Sequence, residues 1–185
     1  MTIGFPARRG RVSPLSVGVV LFCAALTPAF ATSAETPPPV KIAIFDFELE
    51  DYSAGNELIG ETPDDAAQLK RATSEARRLI AESGRYSLVD VSGADAEPVK
   101  ARSLRKCNGC EADIALKLGA DQSFIGIVAR SSRTEYAVGF QIRDAKDGAT
   151  IFKRQTELRM GTNDSWYRGV SRLIKNTLLS SQDQP

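Results

Sequence analysis

Two cysteines three positions apart are the residues of this sequence with the most evident chemistry. Cys107 and Cys110 stand in the stretch CNGCEADIALKL, which has the pattern of a short helix after its first residues. A Cys-x-x-C pair can attach haem, bind zinc, exchange disulfides or form a local disulfide that ties a loop to a helix. The surrounding residues decide between these four chemistries.

The chain contains no histidine, and this disfavours the first two chemistries. Covalent haem attachment requires a histidine directly after the second cysteine, where this sequence has Glu111. A structural zinc site normally has four cysteine or histidine ligands, and besides Cys23 in the amino-terminal segment only this pair is present. A Ser-His-Asp triad is excluded for the same reason. We therefore predict no catalytic residue, no cofactor and no metal ligand.

Disulfide exchange and a structural disulfide both remain open. A thiolate near a helix amino terminus is stabilised by the helix dipole, and four basic residues precede or flank the pair: Lys100, Arg102, Arg105 and Lys106. Thioredoxin-type enzymes, however, place their cysteines directly after a central strand, and here a polar stretch intervenes. Exported proteins favour local bridges. We predict a local disulfide between Cys107 and Cys110, with thiol-disulfide exchange as the alternative.

A second group of chemically interesting residues follows the first predicted strand. In DFELED, the carboxylates of Asp46, Glu48 and Glu50 alternate, which would place three of them on one side of a strand end. Hard cations such as Ca²⁺ take oxygen ligands of this kind, but the stretch lacks the glycine and the spacing of an EF-hand loop. We interpret it as an acidic, solvated strand end.

The first 31 residues have the features of a secretion signal. Arg8, Arg9 and Arg11 form a basic region, a run of about a dozen apolar or small residues follows, and Ala29-Phe30-Ala31 offers a cleavage site. The run is shorter than the roughly 20 residues of a membrane-spanning helix, and Phe22 before Cys23 disfavours a lipoprotein signal. We predict a periplasmic protein with no membrane span after signal cleavage.

Residues 32–39 are rich in proline and predict an extended spacer.

The net charge of the chain narrows the classes of possible partner. The formal net charge of +1 becomes −2 without the leader, because the leader carries three arginines and no acidic residue. A nearly neutral domain gives no electrostatic reason to expect nucleic acid as a partner. The remaining partner class is another protein of the periplasm or envelope.

The cysteine pair must be positioned by elements that alternate between strand and helix. Continuous apolar runs at 40–48 and 122–129 predict two central strands, covered on both faces. Shorter or one-sided patterns predict three further strands, at 86–92, 134–142 and 150–158. Asp147-Gly148 is a hairpin signal between the last two.

Helices are predicted by capping residues and by apolar stripes. Thr62-Pro63-Asp64-Asp65 supplies an N-cap, a proline at the first helical position and an acid at the third. The stripe that follows consists of Leu69, Ala72, Ala76, Leu79 and Ile80. A second helix follows the cysteines and stops at Gly119. A third is capped by Asn163 or Asp164 and lines up Trp166, Val170, Leu173, Ile174 and Leu178.

This order of elements predicts one α/β (α+β) domain over residues 40–179. It has a single mixed sheet of about five strands with helices packed on it. Residues 93–106 are expected to be irregular, and residues 180–185 to form a flexible tail. Glycine-rich phosphate-binding loops are absent from the sequence.

Four stretches resemble a superfamily of periplasmic α/β modules that includes the amino-terminal domain of TolB, LpoB and CsgG. They are KIAIFDFE, ALKLGADQSFIGIV, FQIRDAKDGATIFKRQ and DSWYRGVSRLIKNTL, and the specific matches are Gly119, Ala120, Asp121, Asp144 and Gly148. The resemblance covers residues 40–179 and implies a fold rather than an activity. Members of known role act by binding other proteins.

We therefore expect a non-enzymatic, periplasmic protein-binding or adaptor module that presents a sheet surface or edge. Two alternatives remain. One is a thiol-disulfide redox protein that uses Cys107 and Cys110. The other is a carrier of a small ligand or metal that serves a periplasmic oxidoreductase system.

Overall fold

The computed structural model describes residues 37–132, 134–159 and 165–180. The predicted leader (1–31), most of the predicted spacer (32–36), the predicted cap at Asn163 or Asp164 and all but the first residue of the predicted tail lie outside these ranges. The predictions made for those segments therefore stay predictions.

The described residues contain six strands: β1 (Val40–Ile44), β2 (Glu48–Asp51), β3 (Tyr86–Val89), β4 (Gln122–Arg130), β5 (Glu135–Asp144) and β6 (Thr150–Arg159). They form one mixed sheet in the order β3-β1-β4-β5-β6, with β2 pairing β4 beyond the end of β1. The first three of that order are parallel, and β5 and β6 continue antiparallel. A single mixed sheet with helices is thus confirmed, with one strand more than the predicted five.

The extra strand arises because the predicted first strand breaks at residues 45–47. The helix at residues 63–82 satisfies two backbone groups next to the break. Phe47 N–H donates to Thr73 Oγ1 at 2.9 Å. Arg77 donates to the Ile44 carbonyl at 2.8 Å. The Phe47 ring then lies over Gly126 of β4, where an added Cβ would come within 2.3 Å of the ring. The chain resumes pairing with β4 at Glu48.

Five helices are described, together with a 3₁₀ turn at Leu104–Lys106 and a π-helical turn at Ile174–Leu178. They are α1 (Asn56–Ile59), α2 (Pro63–Glu82), α3 (Glu97–Lys100), α4 (Cys110–Lys117) and α5 (Ser165–Leu173). The predicted start of α2 is confirmed: Thr62 and Asp65 form a reciprocal capping box, with Pro63 as the first helical residue. The expectation of an irregular 93–106 segment was wrong, since α3 and the 3₁₀ turn both lie in it.

Two separate cores cover the two faces of the sheet. On one face, α2 and α5 bury the apolar stripes predicted for them against β1, β4, β5 and β6. On the other face, the 3₁₀ turn and α4 cover β1 and β4 around Phe45 and Ile125. The cysteine pair lies at the edge of this second core. The strands predicted to be central, β1 and β4, are therefore the ones covered on both faces.

Candidate functional site

The cysteine loop, residues 107–110, is a tight turn at the start of α4. The two sulfur atoms lie at bonding distance, and the Cα atoms are 5.6 Å apart. Asn108 and Gly109 both have positive φ values, 49° and 116°, which bring the chain back so that Cys110 becomes the first helical residue. Glycine tolerates this conformation without steric cost. The geometry suits the predicted local disulfide.

Glu111 is the residue of this region that the sequence did not point to. Its side chain is only 3% exposed. Arg143 of β5 donates from Nε to Glu111 Oε1 at 2.9 Å, and from Nη1 to the Gly148 carbonyl at 2.8 Å. The other carboxylate oxygen, Oε2, is buried with no hydrogen-bond partner among the described residues. A carboxylate oxygen of Glu111 and both cysteine sulfurs lie within 4.8 Å of one another.

The stretch ahead of the cysteine loop is held by a second buried carboxylate. Glu48 is 2% exposed and accepts hydrogen bonds from the Leu104 backbone N–H at 2.7 Å and from Arg105 Nη1 at 2.8 Å. Arg102, at a φ of 48°, donates to the Phe47 carbonyl and to Glu61. These bonds join β2 to the turn that leads into Cys107.

The interpretation of DFELED as a solvated strand end is therefore wrong for Glu48. Asp46 is exposed and pairs with Arg77 at 3.1 Å, whereas Glu48 is turned inward toward Arg105. Among the described residues, the carboxylates of this stretch do not come together as a cluster of possible metal ligands. The sequence gave no sign of this separation, because both arginines come from distant parts of the chain.

Arg130, at the end of β4, forms a largely buried ion cluster with two carboxylates. It reaches Asp51 at 2.7 Å and Asp65 at 3.1 Å. Burial alone would raise the pKa of Asp51, but hydrogen bonds from Arg130 and Ser53 outweigh it and hold this pKa below its ordinary value. The cluster ties the end of β2 to the start of α2, so its role in the described fold is structural.

In the described ranges, the half of the sheet that contains β5 and β6 has one face that is largely without helix cover. We call the open sheet face the side of β4–β6 formed by Ala129, Ala137, Gln155 and Glu157, together with Glu50 of β2; these residues line a groove of about 780 Å³. Across the strands, Glu50 neighbours Ala129, Ala129 neighbours Ala137, and Ala137 neighbours Glu157. In the described chain, α5 is the helix that packs on β5 and β6, and it lies on the opposite face.

Acidic side chains lie at the rim of the groove, and small side chains form its floor. Glu50, Glu135 and Glu157 surround the two alanines, and Tyr52 projects beside them with 65% of its surface exposed. A hydrogen bond with Glu50 is the main cause of the raised pKa of Tyr52, so the Tyr52 hydroxyl lies close to this carboxylate. Small floor residues leave space above the sheet for side chains of another molecule.

A second concavity, the strand-end cleft, has a volume of about 630 Å³ at the carboxyl ends of β1 and β3. The chain that leaves β1 runs to α2 on one face of the sheet, and the chain that leaves β3 runs to α4 on the other. A crevice forms where adjacent parallel strands diverge in this way. The cleft is lined largely by apolar residues, and its two arginines, Arg77 and Arg102, are already paired with Asp46 and Glu61.

No helix in the described ranges is long and apolar enough to cross a lipid bilayer. The fold and these sites define a small α/β module that combines an asymmetrically covered mixed sheet with one cysteine pair. The chain belongs to the family described as Protein of unknown function (DUF2380), which matches residues 40–178. No curated protein matches the chain.

Solved structures similar to this chain come from bacteria. The LpoB C-terminal domain from Salmonella enterica is 13% identical, with a TM-score of 0.48, over 69% of this chain and 88% of that domain. A PelC dodecamer from Paraburkholderia phytofirmans is 20% identical, with a TM-score of 0.45, over 81% and 92%. TolB from Acinetobacter baumannii is 14% identical, with a TM-score of 0.44, over 77% and 29%. LpoB and TolB, both part of the resemblance found in the sequence, are thus among the similar structures.

Proposed function

We propose that this protein is a non-enzymatic, periplasmic binding module that takes an extended, basic segment of another envelope protein along β6 and over the open sheet face. The observation that carries the proposal is the pairing of an uncovered, acidic sheet face with a long edge strand. The leader-like sequence supports the compartment.

The edge strand offers the backbone half of such an interface. β6 has ten residues and pairs with β5. In the described chain it has no partner on its outer side, since it ends the strand order. An edge of this length presents a row of unpaired N–H and C=O groups, to which an extended peptide can add as a further strand.

The groove offers the side-chain half. Three glutamates surround its alanine floor, so a segment that carries Lys or Arg at alternate positions would meet opposite charge on the side that faces the groove. Lys153 and Arg154 of β6 are exposed. They blunt the edge against apolar strands and against copies of this chain. The occupant favoured by the three glutamates of the groove is a basic strand from a different protein.

A site-specific photo-crosslinker at Gln155 tests this proposal in the export host. The expected result is a crosslink to one envelope protein, at a segment with Lys or Arg on alternate positions. The double substitution Glu135→Lys and Glu157→Lys, at the two groove glutamates nearest the edge, should abolish the crosslink. Glu82→Lys, on α2 and away from the groove, is the matched charge control and should leave the crosslink unchanged.

Two results would contradict the proposal. One is a crosslink at Gln155 that persists in the double glutamate variant, because the groove charges would then play no part. The other is a crosslinker at exposed Lys117 on α4 that captures the same partner while Gln155 does not, because the partner would then bind at α4 and not along β6.

The strand-end cleft favours a second candidate function, the carriage of a small, mostly apolar ligand. Its position outside the carboxyl ends of diverging parallel strands is where α/β sheets bind ligands. Native mass spectrometry of protein purified from the periplasm should then show added mass, and Val99→Trp, at the cleft wall, should remove it. A protein of unmodified mass that takes up no apolar probe would exclude this function.

The cysteine pair is proposed to be a local disulfide in the isolated protein, and reduction should then raise the mass by about 2 Da. Two free thiols in freshly isolated protein would contradict this. The alternative, thiol-disulfide exchange, predicts that Cys110→Ala traps mixed disulfides through Cys107, which is half-buried. A structural bridge predicts no specific trapped partner.

A further inference from the structure

A structural disulfide at the cysteine loop does not explain why the carboxylate next to it, that of Glu111, is buried. Glu111 follows Cys110 directly and is 3% exposed, and one of its carboxylate oxygens has no partner among the described residues. A buried carboxylate oxygen without a donor is costly, since burial removes its hydration without replacement. In the same place, two sulfurs and a Glu111 oxygen lie within 4.8 Å of one another.

Arg143 fixes this carboxylate beside the cysteine loop. It donates to Oε1, and its own position is fixed by a second bond to the Gly148 carbonyl in the β5–β6 hairpin. Carboxylates that bind metals are commonly hydrogen-bonded through one oxygen by a neighbouring group, which orients the other. The guanidinium also lies about 4 Å from the position of an added Cβ at Gly109, so Arg143 packs directly beside the loop.

The charges of the reduced loop match a divalent cation. Two thiolates and Glu111 carry three negative charges, and Arg143 contributes one positive charge, so a divalent ion would bring the group to neutrality. Cys110 is the first residue of an eight-residue helix, where the dipole favours the thiolate. Thiolate sulfur and carboxylate oxygen are both ligands of Zn²⁺, and three protein ligands leave a fourth position for water.

We propose that the reduced Cys107–Cys110 pair and Glu111 form a three-ligand site for a thiophilic divalent metal ion, for which Zn²⁺ is the probe. An external dithiol reduces the Cys107–Cys110 bond, takes over the disulfide and leaves two thiols on this chain. Binding of Zn²⁺ then releases the thiol protons to solvent. Reoxidation by an external disulfide reforms the sulfur–sulfur bond and expels the ion. The disulfide therefore gates the site.

This site goes beyond the proposed partner binding and does not depend on it. The sequence argument against zinc counted only cysteines and histidines. It left out Glu111 because nothing in the local sequence distinguishes that residue from Asp113, two positions later and exposed. Burial beside the sulfurs, supplied by Arg143 from another strand, is what makes Glu111 a candidate ligand.

Zinc titration of the reduced and the oxidised protein, with a chromophoric chelator as competitor, tests the proposal. Reduced protein should bind one Zn²⁺, and oxidised protein none. Glu111→Gln should weaken binding by at least about tenfold, the lower range for groups that tune a metal site. Asp113→Asn, on the same helix, is the matched control and should bind as the wild type does. A variant with both cysteines changed to serine should not bind.

Glu111→Asp keeps the charge that neutralises Arg143 but withdraws the carboxylate by one methylene. It should fold and still lose zinc affinity, which separates ligation from stability if Glu111→Gln does not fold. X-ray absorption of the zinc-loaded wild type should show two sulfur ligands at about 2.3 Å and oxygen ligands at about 2.0–2.2 Å. Unchanged affinity in the folded Glu111 variants, binding by oxidised protein, or a ligand shell without sulfur would each overturn the proposal.

Discussion

The two halves of the sheet differ in how they are covered, and the difference separates a half packed on both faces from a half with one exposed face. β1 and β4 are packed between α2 and α5 on one face and the 3₁₀ turn and α4 on the other. Among the described residues, α5 covers one face of β5 and β6, and on the other face α4 contacts the end of β5 at Arg143. Their other face carries alanines, glutamates and a long free edge. The covered half holds the fold together, and the open half keeps surface available.

The two faces of the sheet also differ in the size of their side chains. Phe47, Phe124, Phe140 and Phe152 form a chain of ring contacts through the covered side, with centroids 5.1–6.1 Å apart. The opposite face of β5 carries Ala137, Gly139 and Gln141 instead. Aromatic burial stabilises a core strongly, whereas small and polar residues contribute little and leave room for a partner. The asymmetry therefore follows residue by residue from strand alternation.

The largest expected difference is between truncations in the two halves. Phe124→Ala removes a fully buried ring from the middle of the covered half and should lower the free energy of unfolding by about 3–5 kcal/mol. Ile151→Ala, on β6 and 42% exposed, should change it by less than about 0.5 kcal/mol. Urea unfolding followed by circular dichroism measures both. Similar losses would show that the open half is as tightly packed as the covered one.

Breaking the Arg130 cluster should have the next largest effect. Arg130→Met leaves Asp51 and Asp65 without their cation and should cost about 3 kcal/mol at neutral pH, the lower end for a broken buried pair. The pKa of Asp51 is lowered in the folded state, so its contribution is present above the ordinary carboxyl pKa near 3.8 and is lost as pH falls below it.

Wild-type unfolding measured from pH 6 to pH 2 should therefore show stability falling below about pH 4. The fall should be shallower in Arg130→Met. A variant that keeps the full acid sensitivity of the wild type would place the responsible carboxylates elsewhere in the protein.

A single methyl group at Gly126 should have a smaller but clear cost. Gly126→Ala would place its Cβ 2.3 Å from the Phe47 ring, so the ring or the strand has to move, at about 1–3 kcal/mol. Gly93→Ala is the matched control, since its added Cβ meets nothing within 4 Å. Thermal unfolding of the two variants compares them. An equally stable Gly126→Ala would mean that the break at residues 45–47 is easily deformed.

The smallest expected effect on stability is at the groove itself. Glu157→Lys changes an exposed residue of β6 and should alter the free energy of unfolding by less than about 0.5 kcal/mol, while it weakens binding of the proposed basic segment. Differential scanning calorimetry checks the first part and crosslinking checks the second. A large loss of stability would assign Glu157 to the fold rather than to a binding surface.

Patterns that depend on neighbours in the chain could be predicted from the sequence. The continuous apolar run of β4, the alternation in β5, the Thr62–Asp65 capping box and the turn at Gly148, with its φ of 71°, were all readable in this way. Each is set by contacts within a few residues or by one face of one strand. They were sufficient for a single mixed sheet with helices.

The features that were missed depend on partners far away in the sequence. Glu48 is buried because Arg105, 57 residues later, reaches it, and Glu111 because Arg143, 32 residues later, does. The break in the first strand likewise depends on Thr73, 26 residues on. Local patterns treat a carboxylate as solvated by default, since the arginine that makes burial tolerable belongs to another element. The candidate metal site was missed for this reason.

The parallel pairing of β1 with β4 determines when the sheet can be completed during synthesis. Where the two strands pair, the Lys41 backbone N–H donates a hydrogen bond to Asp121 Oδ2, 80 residues further along the chain. The β4–β5–β6 meander can close among near neighbours, and β1 can pair with β3 once residues 86–89 are made. The pairing of β1 with β4 has to wait for residues 122–124, because distant contacts form slowly. Until then the side of β1 that faces β4 has no partner, and a chaperone that recognises unpaired strands would bind there.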